Sequence, residues 1–177
     1  MLQIDVKKTI LLVVVICLHN AFASAKNSVW LEKLDSILAV SENIVAEKNN
    51  KIAMLKQMAA KETNTSLLLE RYWELSEEYY VFKFDSAKIY VEKGLALARK
   101  TNNRRYVVAN SIMLAKLLAI GGLYSEAISN LSKINPESLE PDLLFDYHIA
   151  YFTIYSYWAD YCNDTTYSPI HNEKSNA

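Results

Sequence analysis

The residues best equipped for chemistry lie near the C-terminal end: His148, Asp160, Cys162, Asp164 and His171, all of metal-ligand type. His148, Cys162 and His171 have no partner ligand at the i, i+4 or C-x-x-C spacing that fixes coordination geometry. Glu77 and Glu78 pair two carboxylates, but adjacent positions on a helix point in different directions, which reads as solvated surface rather than acid–base machinery. Gly121-Gly122 lacks the Lys-Ser/Thr of a phosphate loop and reads as a helix C-cap. Arg104-Arg105 is a lone basic pair. This inventory predicts no catalytic centre, no metal and no cofactor. A pocket joining His148 to two buried carboxylates would revive an enzyme.

Tyrosine is the unusual feature, with twelve copies. Tyr147, Tyr151 and Tyr155 recur every four residues and share one face of a helix. Such rings either pack a core, hydroxyl reaching a partner, or line a groove that binds a peptide or glycan. The residue pattern leaves both open.

The elements that must position these residues are helical. Three Gly and three Pro in 177 residues are too few for the turns of a sheet-rich fold. Formal charge is −1 with both signs interspersed, which excludes the basic face that nucleic acid requires. The predicted fold is all-α. A leading helical pair occupies 26–62: Val29–Val40, with a stripe of Trp30, Leu31, Leu34, Ile37 and Leu38, then a break at Ser41 and a more polar helix over Asn43–Glu62. The latter reads as the edge of a helical array or as a brief coiled coil. Three units are predicted over 63–162, at 63–100, 104–136 and 141–162, the last incomplete. The first closes on Phe84–Lys100, with Asp85 as its expected N-cap. Pro141 suits the first turn of the last helix. Residues 163–177 read as a polar tail. The aromatic face of 142–162 would lack a cover, which predicts a truncated chain or self-association through that face.

The N-terminus reads as an export signal over 1–25. Lys7 and Lys8 precede a ten-residue apolar run, Thr9–Leu18, and Ala21-Phe22-Ala23 or Ala23-Ser24-Ala25 offers small-x-small cleavage. The run is shorter than the roughly 20 residues a bilayer needs. Cys17 raises a lipoprotein alternative, although Ile16 stands where a lipidation site wants a small residue. Cleavage would leave Cys162 as the sole cysteine, so no disulfide could form within the mature chain.

Small residues carry the repeat register. Ala87 and Ala127 are forty positions apart, with Val91 and Leu131 four residues beyond each. Together with Leu114-Ala115 and Gly122 they resemble the tetratricopeptide repeat (TPR) family, in which a large–small pair marks the first helix and alanines mark the second. Gly94 stands where alanine is expected, and Pro136 falls a few residues early. LDSILA, KIAMLKQ, Glu77-Glu78-Tyr79, FKFDSA, GLYSEA and YWADY, within residues 30–162, are similar to a narrower group. These are exported bacterial TPR proteins, carrying a domain of unknown function, that are described as probable regulators. The resemblance implies an envelope or periplasmic location, a protein or peptide partner, and a non-enzymatic scaffold acting as a sensor. In that group a transmembrane helix, a coiled coil and a cytoplasmic part follow, so a membrane would be met only through such a segment or an uncleaved signal. A glycan- or nutrient-binding envelope lipoprotein with TPR-like helices is the alternative function.

Overall fold

The computed structural model describes the backbone of residues 6–163 and 165–176, and side chains from residue 29 onward within those ranges. The export signal, with Cys17, and Asp164 therefore fall on residues or side chains outside those described. The chain divides into two units, Met1–Asn50 and Lys51–Ala177. Among the described residues seven helices follow in order: α1 (Val6–Lys61), α2 (Thr65–Tyr80), α3 (Phe84–Lys100), α4 (Arg104–Ile120), α5 (Tyr124–Leu131), α6 (Pro141–Cys162) and α7 (Tyr167–Ser175). A 3₁₀ turn, Pro136–Ser138, lies between α5 and α6, and no strand occurs among the described residues.

The expected break at Ser41 is absent. Its hydroxyl donates to the Leu38 carbonyl, 2.8 Å being typical of such bonds and 2.7 Å found here, so the residue sits inside α1 without interrupting it. In the first unit, Trp30, Leu31, Leu34, Ile37 and Leu38 keep helical spacing but stand exposed.

In the second unit the helices form three hairpins, α2/α3, α4/α5 and α6/α7. Local chemistry sets their ends. Asn64 caps α2, its side-chain oxygen accepting from the Ser66 and Leu67 amides. The residue preceding α3 is Lys83, without a side-chain cap, and Asp85 lies inside the first turn instead. Asp85 thus acts through favourable charge at the positive end of the helix rather than as the expected cap. α3 and α4 end in one motif. In α4 the Leu123 amide donates to Leu118 O (2.8 Å) and the Gly122 amide to Ala119 O (2.9 Å), with Gly122 at φ +78°. In α3 the Asn103 amide donates to Ala98 O (2.8 Å) and the Asn102 amide to Arg99 O (3.3 Å), with Asn102 at φ +54°. Asn103 then caps α4 by accepting from the Tyr106 amide.

Two clusters form the core. Ile52 and Leu55 of α1 join Leu75, Tyr79, Ala87, Val91, Met113 and Leu117. Ile112, Ala115 and Ala119 join Ala127, Leu131, Tyr147, Ala150 and Ile154. Full burial of a side chain such as Leu75, Leu117, Leu131 or Ile154 contributes about 1.5–3 kcal/mol. Between the clusters, α3 and α4 approach closely. Asn110 is fully buried, donates from Nδ2 to Tyr106 O at 2.8 Å, and turns Oδ1 toward Gly94. A Cβ on Gly94 would lie 2.7 Å from that oxygen. Glycine in the alanine position is therefore what admits the Asn110 amide.

The polar tail contains structure that the sequence reading omitted. α7 packs against α6, so α6 is not unpaired. His171 is buried, its ring 4.3 Å from that of Trp158, and the Ser168 hydroxyl donates to Ala159 O at 2.9 Å. The nine residues of α7, of mixed polarity, are held by His171 against the Trp158 and Tyr155 rings, by Lys174 over the Tyr155 ring and by the Ser168 hydroxyl. Phe145, Phe152 and Tyr161 of α6 remain exposed.

Gly94→Ala should lower stability by about 1 kcal/mol, overpacking of about 1–3 kcal/mol outweighing a gain in helix propensity of up to about 1. Adding Asn110→Ala should recover the loss, a coupling of about 1–2 kcal/mol in a denaturation cycle. Gly122→Ala meets no side-chain obstacle. Its expected cost of about 1–2 kcal/mol comes from the left-handed backbone alone, read as a lower urea midpoint at unchanged slope.

Candidate functional site

The first helices of the three hairpins, α2, α4 and α6, share one surface. Trp73 and Glu77 stand one turn apart on α2, and Ala109, Ile112, Met113 and Lys116 recur at three- and four-residue steps on α4. Asp146 closes the notch from α6. These residues line a cavity of about 100 Å³. That is well below the roughly 300 Å³ at which small-molecule sites begin.

The walls are electrostatically mixed. Lys116 places its ammonium 5.1 Å from the centre of the Tyr80 ring. Glu74 pairs with Arg71, and Glu78 with Lys51 at 2.6 Å. Glu77 makes no ion pair among the described residues. Burial pushes its carboxyl above the ordinary value, Glu78 and more distantly Glu74 and Asp146 add to the rise, and hydrogen bonding with Trp73 opposes it. Glu77 is exposed at the edge of the notch, so its carboxylate is accessible from solvent.

The tyrosines singled out from the sequence lie elsewhere. Tyr147 is buried in the second core cluster and meets Tyr151 edge-on at 5.0 Å. Tyr151 is half-buried, and burial together with hydrogen bonding to Tyr147 holds its hydroxyl above the ordinary value. Tyr155 stacks along Trp158 and His171. None of the three lines the notch. Of the repeat positions, Ala87, Val91, Ala115, Ala127 and Leu131 are buried, Leu114 is half-buried against the first cluster, and Gly122 forms the exposed turn. His148 is exposed beside Tyr147, and no group of metal-ligand residues assembles among those described.

Trp73, Lys116 and Asp146 were missed. None of the three was among the candidate residues read from the sequence. The spacing of 109, 113 and 116 on one helix with 73 and 77 on another was the available signal.

Hairpins that stack in this way, each packed on the next through small residues, define a TPR-like helical array. A family model described as the SusR N-terminal TPR domain matches residues 38–177. The chain belongs to that family. Searches of curated proteins and of solved structures returned no significant match. The family places the chain among TPR-containing regulators with a protein-interaction role, and folds of this type are generally non-enzymatic scaffolds.

Glu77→Gln tests the electrostatics of the notch. With the folded carboxyl raised above its unfolded value, the ionised form is disfavoured in the fold, and any stability linked to the proton is lost as pH rises through the folded value. The variant should melt higher than the parent at pH 7. The difference should vanish below about pH 4, where the parent carboxyl is protonated in both states.

Proposed function

We propose that this chain is the exported sensor segment of a TPR-containing regulator, binding a protein or peptide partner at the notch formed by α2, α4 and α6 and catalysing nothing itself. The observation that carries the reading is the notch: one aromatic wall, two carboxylates, Glu77 and Asp146, without an ion pair among the described residues, and room for a single side chain. The partner chemistry that fits is an extended segment offering a cationic or hydrogen-bond-donating side chain to Glu77 and Asp146. An export signal over 1–25, the leading segment 26–62 and repeat units over 63–162 belong to the same proposal, as does a periplasmic or envelope location. No helix among the described residues is long and apolar enough to cross a membrane. Self-association through Phe145, Phe152 and Tyr161 of α6 is a further part of it.

A photo-crosslinking residue at Ala109, on the wall of the notch, should capture one discrete partner in cells. Glu77→Gln with Asp146→Asn should weaken that adduct, and the same probe at the exposed Ser129 should not form it. No discrete adduct at position 109, or one indifferent to both carboxylates, overturns the reading. The mature N-terminus should begin at Ser24 or Lys26, and fatty-acid labelling at Cys17 would favour the lipoprotein alternative instead.

A further inference from the structure

α4 has a second use. Val107 and Ser111 lie about half a turn from Ala109, Met113 and Lys116, so they face away from the notch. There they form the floor of a larger cleft, about 410 Å³, bounded by the end of α3 and the end of α5. Three cations stand on its walls: Arg99, Arg104 and Lys133. No carboxylate lines it. Across the chain, acids and bases are nearly equal in number, 20 and 19, so a cavity with three bases and no acid departs from what composition would give.

The neighbouring residue shows the contrast. Arg105 is neutralised by Glu140 and Asp142, which lie outside this cleft. Arg104 instead donates to the Ser138 hydroxyl at 2.6 Å, a neutral partner that orients the guanidinium without cancelling its charge. Arg99 and Lys133 have no ion pair among the described residues. Val107, Ile134 and Leu139 give the cleft an apolar part. Its volume falls within the roughly 300–1,000 Å³ of sites for small organic ligands.

We infer that this cleft binds a small organic anion carrying at least two negative charges, its phosphate or carboxylate groups held by Arg99, Arg104 and Lys133 and its carbon body set against Val107, Ile134 and Leu139. Arginine suits this role because its planar donors match the oxygens of phosphate and carboxylate. The site is separate from the notch and does not depend on the function proposed for it. The anionic group could arrive on a free molecule or on a lipid headgroup, and the chemistry is the same.

Calorimetric titration of the purified chain with pyrophosphate and, separately, citrate at low salt tests the inference. One saturable site is expected, and Arg99→Ala with Lys133→Ala should weaken it by about tenfold or more. Both side chains are exposed, so circular dichroism should report an unchanged fold. Glu77→Gln, in the notch, should leave the affinity unchanged. Vesicles containing phosphatidylglycerol provide the second arm: binding displaced by pyrophosphate supports the cleft with a lipid source, and pyrophosphate binding without vesicle binding supports it with a free one. Absence of saturable binding in every arm, or equal affinity in the double variant, overturns the inference.

Discussion

Everything in the second unit depends on α4 burying two stripes at once. Met113 and Leu117 complete the cluster built on Ala87 and Val91, while Ile112, Ala115 and Ala119 complete the one built on Ala127 and Leu131. A helix of 17 residues that gives up two faces has little left for solvent. Its neighbours must come close, and only small residues at the crossings allow that. Ala87, Ala98, Ala115, Ala119, Ala127 and Ala150 are all fully or almost fully buried for this reason. The packing at Gly94 is the extreme case, where even a methyl group would collide with the buried Asn110 amide.

The same constraint produces the two cavities on the surface of the second unit. Since α4 is held between hairpins, its remaining positions appear at the bottoms of the gaps its neighbours leave. One gap, among first helices, is narrow and carries Glu77 and Asp146. The other, between the ends of α3 and α5, is wider and carries only bases. α5 contributes to that difference. It ends at Leu131, and the chain then passes through turns and Asn135 caps the short 3₁₀ segment by accepting from the Glu137 amide.

Aromatic residues serve a different end from the one their abundance suggests. Tyr124, Tyr155 and His171 each stack on Trp158, joining α5, α6 and α7. Each ring offers a broad apolar face and a polar edge, so a short, hydrophilic helix can be held by surface contact without a hydrophobic stripe of its own. That is why α7 escaped a reading based on periodicity: its single buried residue is a histidine.

By itself the sequence determined the helical class and the TPR-like character, because these follow from short-range causes. Scarce glycine and proline, alanines at matched positions, and Asn64, Asn103 and Gly122 at the turns each act within a few residues of themselves. It also carried the family resemblance that the match over residues 38–177 bears out. Only the tertiary structure decided which side chains share a cavity. Glu77 with Asp146, and Arg99 with Lys133, are brought together by the stacking of separate hairpins, and no local rule links positions so far apart in the chain. It likewise decided that Tyr147 is core and that His171 is buried, since burial belongs to the neighbours a residue acquires and not to its own side chain.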